Sequence, residues 1–174
     1  MSRSQLDALA LSRKTLRVLT VLNLVAGMLI GALLIASLIA RTWVFTALGV
    51  DPAVHTSTMI MGMRLVMVIG ICAVPITHVV LARLLAIVDT VTARNPFVHE
   101  NAERLKTIAW AVLGLELLHL CVGAIAAMVS TDAHPLDLDW NFSFTRWLAV
   151  LLLFVLAIVF EQGAAMRDDL EGTV

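Results

Sequence analysis

The chain has 174 residues, of which 60% are hydrophobic and only 14% charged, with a mean hydropathy of +0.96. Soluble domains carry about a quarter charged residues, so this composition belongs in a bilayer. Spans of about 20 residues each consume nearly the whole length and leave no room for a separate soluble catalytic domain, while the net charge of −1 discriminates little, because in membrane proteins the placement of Lys and Arg matters more than their sum.

The expected fold is all-α, one integral-membrane four-helix bundle over residues 1–174, with spans at about 18–40, 59–83, 107–129 and 144–166. A leader, Ser2 to Arg17, precedes the first span; its cations and its leucines at 6, 9 and 16 suit either a short interfacial helix or a solvated basic arm that sets orientation. Within the first span Asn23, Gly27 and Gly31 repeat every four residues and share one face. Such small-residue spacing lets backbones approach, within the bundle or between two copies as a homo-oligomer.

Arg41 to Thr58 reads as an outer loop with an aromatic edge at Trp43 and Phe45. The second span carries Pro75, which is expected to kink it. Then comes the most polar part of the chain, residues 89–106 (DTVTARNPFVHENAERLK), where Asn95 and Pro96 predict a helix start and Glu100 and Glu103 lie near its positive end. The third span leads to a short acidic loop, Ser130 to Thr145, and the fourth to a polar tail, residues 167–174.

Arg3, Arg13, Lys14, Arg17, Arg83, Arg94, Arg104, Lys106 and Arg167 fall on one side of these spans and Arg41, Arg64 and Arg146 on the other. The positive-inside rule therefore makes both termini and residues 89–106 cytoplasmic.

Polar side chains inside a bilayer are costly and count as functional candidates. Counted from the basic markers Arg17, Arg83 and Arg167, Asn23, His78 and Glu161 each lie roughly 8 to 9 Å into the membrane, which predicts one polar layer across three helices. Glu116 lies deeper, roughly 15 Å past Lys106, with His119 one turn on and Ala109, Gly123 and Ser130 on the same heptad line. This face is expected to point inward.

Three readings fit Glu116 and His119: a hydrogen-bonded structural pair, a proton-linked sensor or carrier site that His78 could join, and a metal or haem site. Di-iron bundles need Glu-x-x-His twice plus two further glutamates, and it occurs here once, so no metal and no other cofactor is expected. Arg64 and Arg146 are expected to snorkel to the outer boundary. Cys72 and Cys121 sit in apolar runs, where a thiol behaves as a small hydrophobe. No phosphate loop and no nucleophile with a base is present, so an enzyme is not expected.

The segment NPFVHENAERLKTIAW from Asn95 to Trp110 and the terminal FEQGAAMRDDLEGTV from Phe160 to Val174 resemble the bacterial membrane proteins grouped as domain of unknown function 2975. That resemblance implies four spans with both termini inside. It also implies a genomic neighbour, a small helix-turn-helix protein of the lambda-repressor type, and hence a membrane partner that holds or releases a cytosolic regulator. The matching positions are Asn95, Pro96, Phe97, Glu100, Asn101 and Arg104, with Phe160, Glu161, Gly163, Asp169 and Leu170 near the end; the last residues depart from the commoner acidic ending.

Asp168, Asp169 and Glu171 follow the fourth span, where the helix dipole prefers cations, so helix stability does not explain them; docking to a basic surface and a solvated terminus that aids solubility are the two readings. The expected function is thus a non-enzymatic regulatory protein that meets lipid and a helix-turn-helix partner and contacts no nucleic acid directly. A proton-linked sensor or carrier built on Glu116, His119 and His78, and a structural subunit of a larger membrane complex, are the alternatives.

Overall fold

The computed structural model describes residues 3–47, 57–93, 96–129 and 143–171. They form five helices: α1 (Arg3–Ile39), α2 (Arg41–Ala47), α3 (Ser57–Thr92), α4 (His99–Val129) and α5 (Phe144–Glu171). All but α2 contain a segment long and apolar enough to cross a membrane. The protein is therefore a multi-pass membrane protein, all-helical, with four long apolar helices suited to a membrane four-helix bundle.

These helices outrun the spans expected from hydropathy. At 36 residues α3 is about 54 Å long, well over the roughly 30 Å of hydrocarbon it must cross. The excess lies mostly at the end that holds residues 89–106, which is helical on both sides of a short connection. No proline or glycine interrupts the chain between Arg83 and Thr92, so α3 runs on past the expected span and ends shortly before Pro96, whose ring bars a continued helix. For the same reason the leader is neither a separate interfacial helix nor an arm, but the first four turns of α1. Two hydroxyls of this part of α1 bond back to the helix, Ser12 to the Ala8 carbonyl and Thr20 to that of Leu16. On the other side α2 occupies the first part of the expected outer loop, with Val44 buried and Trp43 exposed.

The helices pack in chain order, α1 on α3, α3 on α4 and α4 on α5; among the described residues α1 makes no close backbone approach to α4 or α5, nor α3 to α5. The bundle is an open row, with α1 and α5 as its edges. Many leucines and valines stay on its outer faces, Leu22, Leu29, Leu151 and Leu152 among them, as lipid accepts. Small residues line the contacts. On α4, Ala102, Ala109 and Gly123 are buried at seven-residue spacing, with Glu116 on the same line, so the inward face expected there is found; on α5 Val150, Ala157 and Ala164 repeat the device.

The α1–α3 crossing explains the Gly27 spacing. A methyl group at Gly27 would lie 2.9 Å from Val74 Cγ2, so glycine is what allows α3 to come this close. At the same crossing Asn23 Nδ2 donates to the Val74 carbonyl at 3.0 Å, next to Pro75. Gly31, by contrast, faces open space. Within the chain, one half of the small-residue pair is used.

Candidate functional site

Two polar regions stand out, one at the α3–α4 connection and one inside the row. At the connection, Pro96, Phe97 and Val98 are non-helical and α4 starts at His99, three residues after the proline. The predicted start at Asn95 and Pro96 is corrected by one side chain. The Pro96 carbonyl, which would accept from the fourth amide on in a helix, accepts instead from Asn101 Nδ2 at 2.7 Å, while the Val98 carbonyl takes the Asn101 amide at 2.9 Å. Asn95 itself lies outside the described residues.

Asn101 is completely buried and also donates to Thr90 Oγ1 at 2.7 Å, while its Oδ1 accepts from Arg104 Nη1 at 2.7 Å. One amide thus ties the end of α3, the connection and the first turns of α4. Both donors and one acceptor site are used, close to the full capacity of the group. Thr90 is the partner that sequence reasoning missed. Its signal was weak, a lone threonine eleven residues upstream on a helix not yet known to end there.

Phe97 leans the other way, onto α5. Its ring lies 5.4 Å from that of Phe160, and a methyl at Gly163 would be 3.2 Å from Phe97 Cδ1; Arg167 Nη1 donates to the Phe97 carbonyl at 3.4 Å. Close to half of Phe97 remains exposed, at 48%. Glu100 and Asp169 are exposed at the same end of the molecule. Helix α5 continues to Glu171, so the acidic residues belong to its last turns rather than following it; the side chains of Asp168, Leu170 and Glu171 lie outside the described residues.

Three contacts set the register of α4 against α5: Phe97 with Phe160, Trp110 with Phe154 at 5.3 Å, and Glu116 with Arg146. Glu161 therefore lies level with the connection and outside the predicted polar layer. Asn23 and His78 do share a level across α1 and α3, but Asn23 is bonded to a backbone carbonyl and His78 faces outward. The layer of three does not form, because the register of α5 puts Glu161 at another level and α1 and α5 stand at opposite edges of the row.

Inside the row, Arg146 Nε lies 3.8 Å from Glu116 Oε2, with side-chain exposures of 38% and 15%. This is an ion pair without hydrogen-bond geometry. The register thus corrects the expectation that Arg146 snorkels outward: α5 begins beside the middle of α4, so its first cation meets the carboxylate. His119, one turn on, shares the face of Glu116 but makes no hydrogen bond to it; its Nε2 is buried without a partner among the described residues. Arg64, also expected to snorkel, turns to α1 and donates through Nη2 to the Ser37 carbonyl, while its Nε is buried without a partner among the described residues. Among the described residues no three His, Cys, Asp or Glu side chains come together as a metal would require.

Of the two regions, only the first joins residues from both segments singled out in the sequence, 95–110 and 160–174. No curated protein and no solved structure matches the chain. The family described as a protein of unknown function, DUF2975, matches residues 64–174, which take in most of α3 and all of α4 and α5, and hence the whole Asn101 junction and its seat on α5, and to that family the chain belongs.

Proposed function

We propose that the chain is a non-enzymatic regulatory protein of a bacterial inner membrane, both termini cytoplasmic, that binds a small cytosolic helix-turn-helix protein at the junction of the α3–α4 connection with the end of α5. The observation that carries this reading is the seating of Phe97 on Phe160 and Gly163, which joins two separate segments into one surface at one end of the molecule. Pro96, Asn101 and Arg104 shape that surface from beneath, and Phe97, Glu100 and Asp169 are its exposed members. Exposed carboxylates on the same surface as an aromatic side chain suit a partner with the basic surface that DNA-binding proteins carry. The class of partner comes from the family resemblance.

The test is affinity capture of the full chain from its own cells in mild detergent, compared with a chain ended after Met166 and with Phe97→Ala. A small helix-turn-helix protein retained by the full chain and lost from both variants is the expected result. Equal recovery with all three would remove this surface from the reading, and recovery of no such protein would reject it.

A second reading, a proton-linked sensor or carrier, is favoured by the buried, unpartnered Nε2 of His119 one turn from the Glu116–Arg146 pair. Under it Glu116→Gln changes the pH dependence of proton or solute flux in proteoliposomes without loss of folded protein. Absence of flux in the parent chain, or an unaltered pH profile, rejects it.

A further inference from the structure

A groove of about 260 Å³ lies between the start of α1 and the end of α3, lined by Leu9, Ala10, Arg13, Lys14, Arg17 and Thr92. Its lining holds three cations and no carboxylate. Arg13 is held in place by an ion pair with Asp89 of α3. Lys14 and Arg17 are exposed and have no ion-pair partner among the described residues, and Asp7, the nearest acid before them on α1, lies outside the groove.

The position of these cations narrows what they bind. Arg17 is the last residue before the apolar run that opens at Val18, so the groove sits where the hydrocarbon of the bilayer gives way to its headgroups. Two neighbouring cations left without carboxylates repel each other, and their side chains satisfy themselves most readily with a shared anion. Leu9, Ala10 and the methylenes of Lys14 and Arg17 supply an apolar wall beside that anion. A phosphate with acyl chains attached meets both halves of this surface, whereas a free phosphate meets one.

We propose that this groove binds the headgroup phosphate of an anionic phospholipid of the phosphatidylglycerol type, with Lys14 and Arg17 contacting the phosphate and the Arg13–Asp89 pair holding α1 against α3 so that the groove stays open. The lipid ties α1, an edge of the row, to α3. This inference needs no regulator partner; which leaflet supplies the lipid follows from the orientation proposed above.

The experiment is native mass spectrometry of the full chain in neutral detergent, given equal amounts of phosphatidylglycerol and phosphatidylcholine. Phosphatidylglycerol is retained preferentially, and Lys14→Gln and Arg17→Gln each weaken that preference by about fivefold, the effect of one interfacial cation. Lys14→Arg keeps the preference, which separates loss of charge from loss of fold. Lys106→Gln, a change at the same end of the molecule but on α4 and beside Glu103, leaves it unaltered. No preference in the parent chain overturns the proposal. So does an equal loss with Lys106→Gln, which would mark bulk surface charge, and so does displacement of the lipid by inorganic phosphate beyond the effect of chloride at matched ionic strength, which would mark a site for the free anion.

Discussion

The junction around Asn101 and the ion pair at Glu116 are both polar devices that link helices, and they are built to opposite standards. Asn101 is fully buried, and three side-chain hydrogen bonds of 2.7 Å bind it to Thr90, Pro96 and Arg104. Glu116 meets Arg146 at 3.8 Å, and the imidazole one turn away has a buried nitrogen without a partner. A satisfied network fixes one geometry, because every alternative position breaks a bond. A loose pair beside an orphaned group has little to lose by rearranging. The first region is therefore the rigid base that presents Phe97, and the second is where the row has latitude.

The largest effect that separates the two is expected from Asn101→Leu. It strands the Pro96 carbonyl, removes the donor to Thr90 Oγ1 and removes the Arg104 acceptor, a loss of about 3 kcal/mol, readable as a lower unfolding midpoint in detergent. An unchanged midpoint would deny the junction its structural role. Thr90→Val removes a single link of the same network, so about 1 kcal/mol is expected, and a double-mutant cycle with Asn101→Leu should give less than the sum of the two losses. Strict additivity would mean that the two side chains do not interact.

Smaller changes are expected inside the row. Glu116→Gln keeps the shape and gives up a long ion pair, so its cost should stay under about 1 kcal/mol; a loss rivalling Asn101→Leu would show that the pair is tight in the bilayer. His119→Leu removes the unpartnered nitrogen and should leave stability unchanged or raise it by roughly 0.5 kcal/mol. A clear destabilisation would reveal a partner for the imidazole and bring the two regions to the same standard.

The four spans were legible because the bilayer demands long apolar runs, and runs of that length survive any detail of packing. The inward face of α4 was legible for a related reason: Ala109, Glu116 and Gly123 recur at a helical period. What could not be read was which helix comes alongside, and how far along it. Hydropathy locates the ends of a span only loosely, so Glu161, which sits level with Phe97, was placed within the membrane, and Arg146, which meets Glu116, at its edge. A shift of α5 along α4 leaves composition and periodicity untouched and changes every partner between them. The Asn101 network was hidden in another way. Its residues were conspicuous, but its bonds depend on α3 ending and α4 beginning within reach of one amide.

The open row also bears on how the chain is made. Each long helix leans on the one before it, and α1 needs only α3 at its side. A ribosome delivering these segments to the membrane in sequence never has to hold an early helix waiting for a late one. The Asn23–Val74 clasp can close while α4 is still being synthesised, and α5 docks last, on a platform already complete.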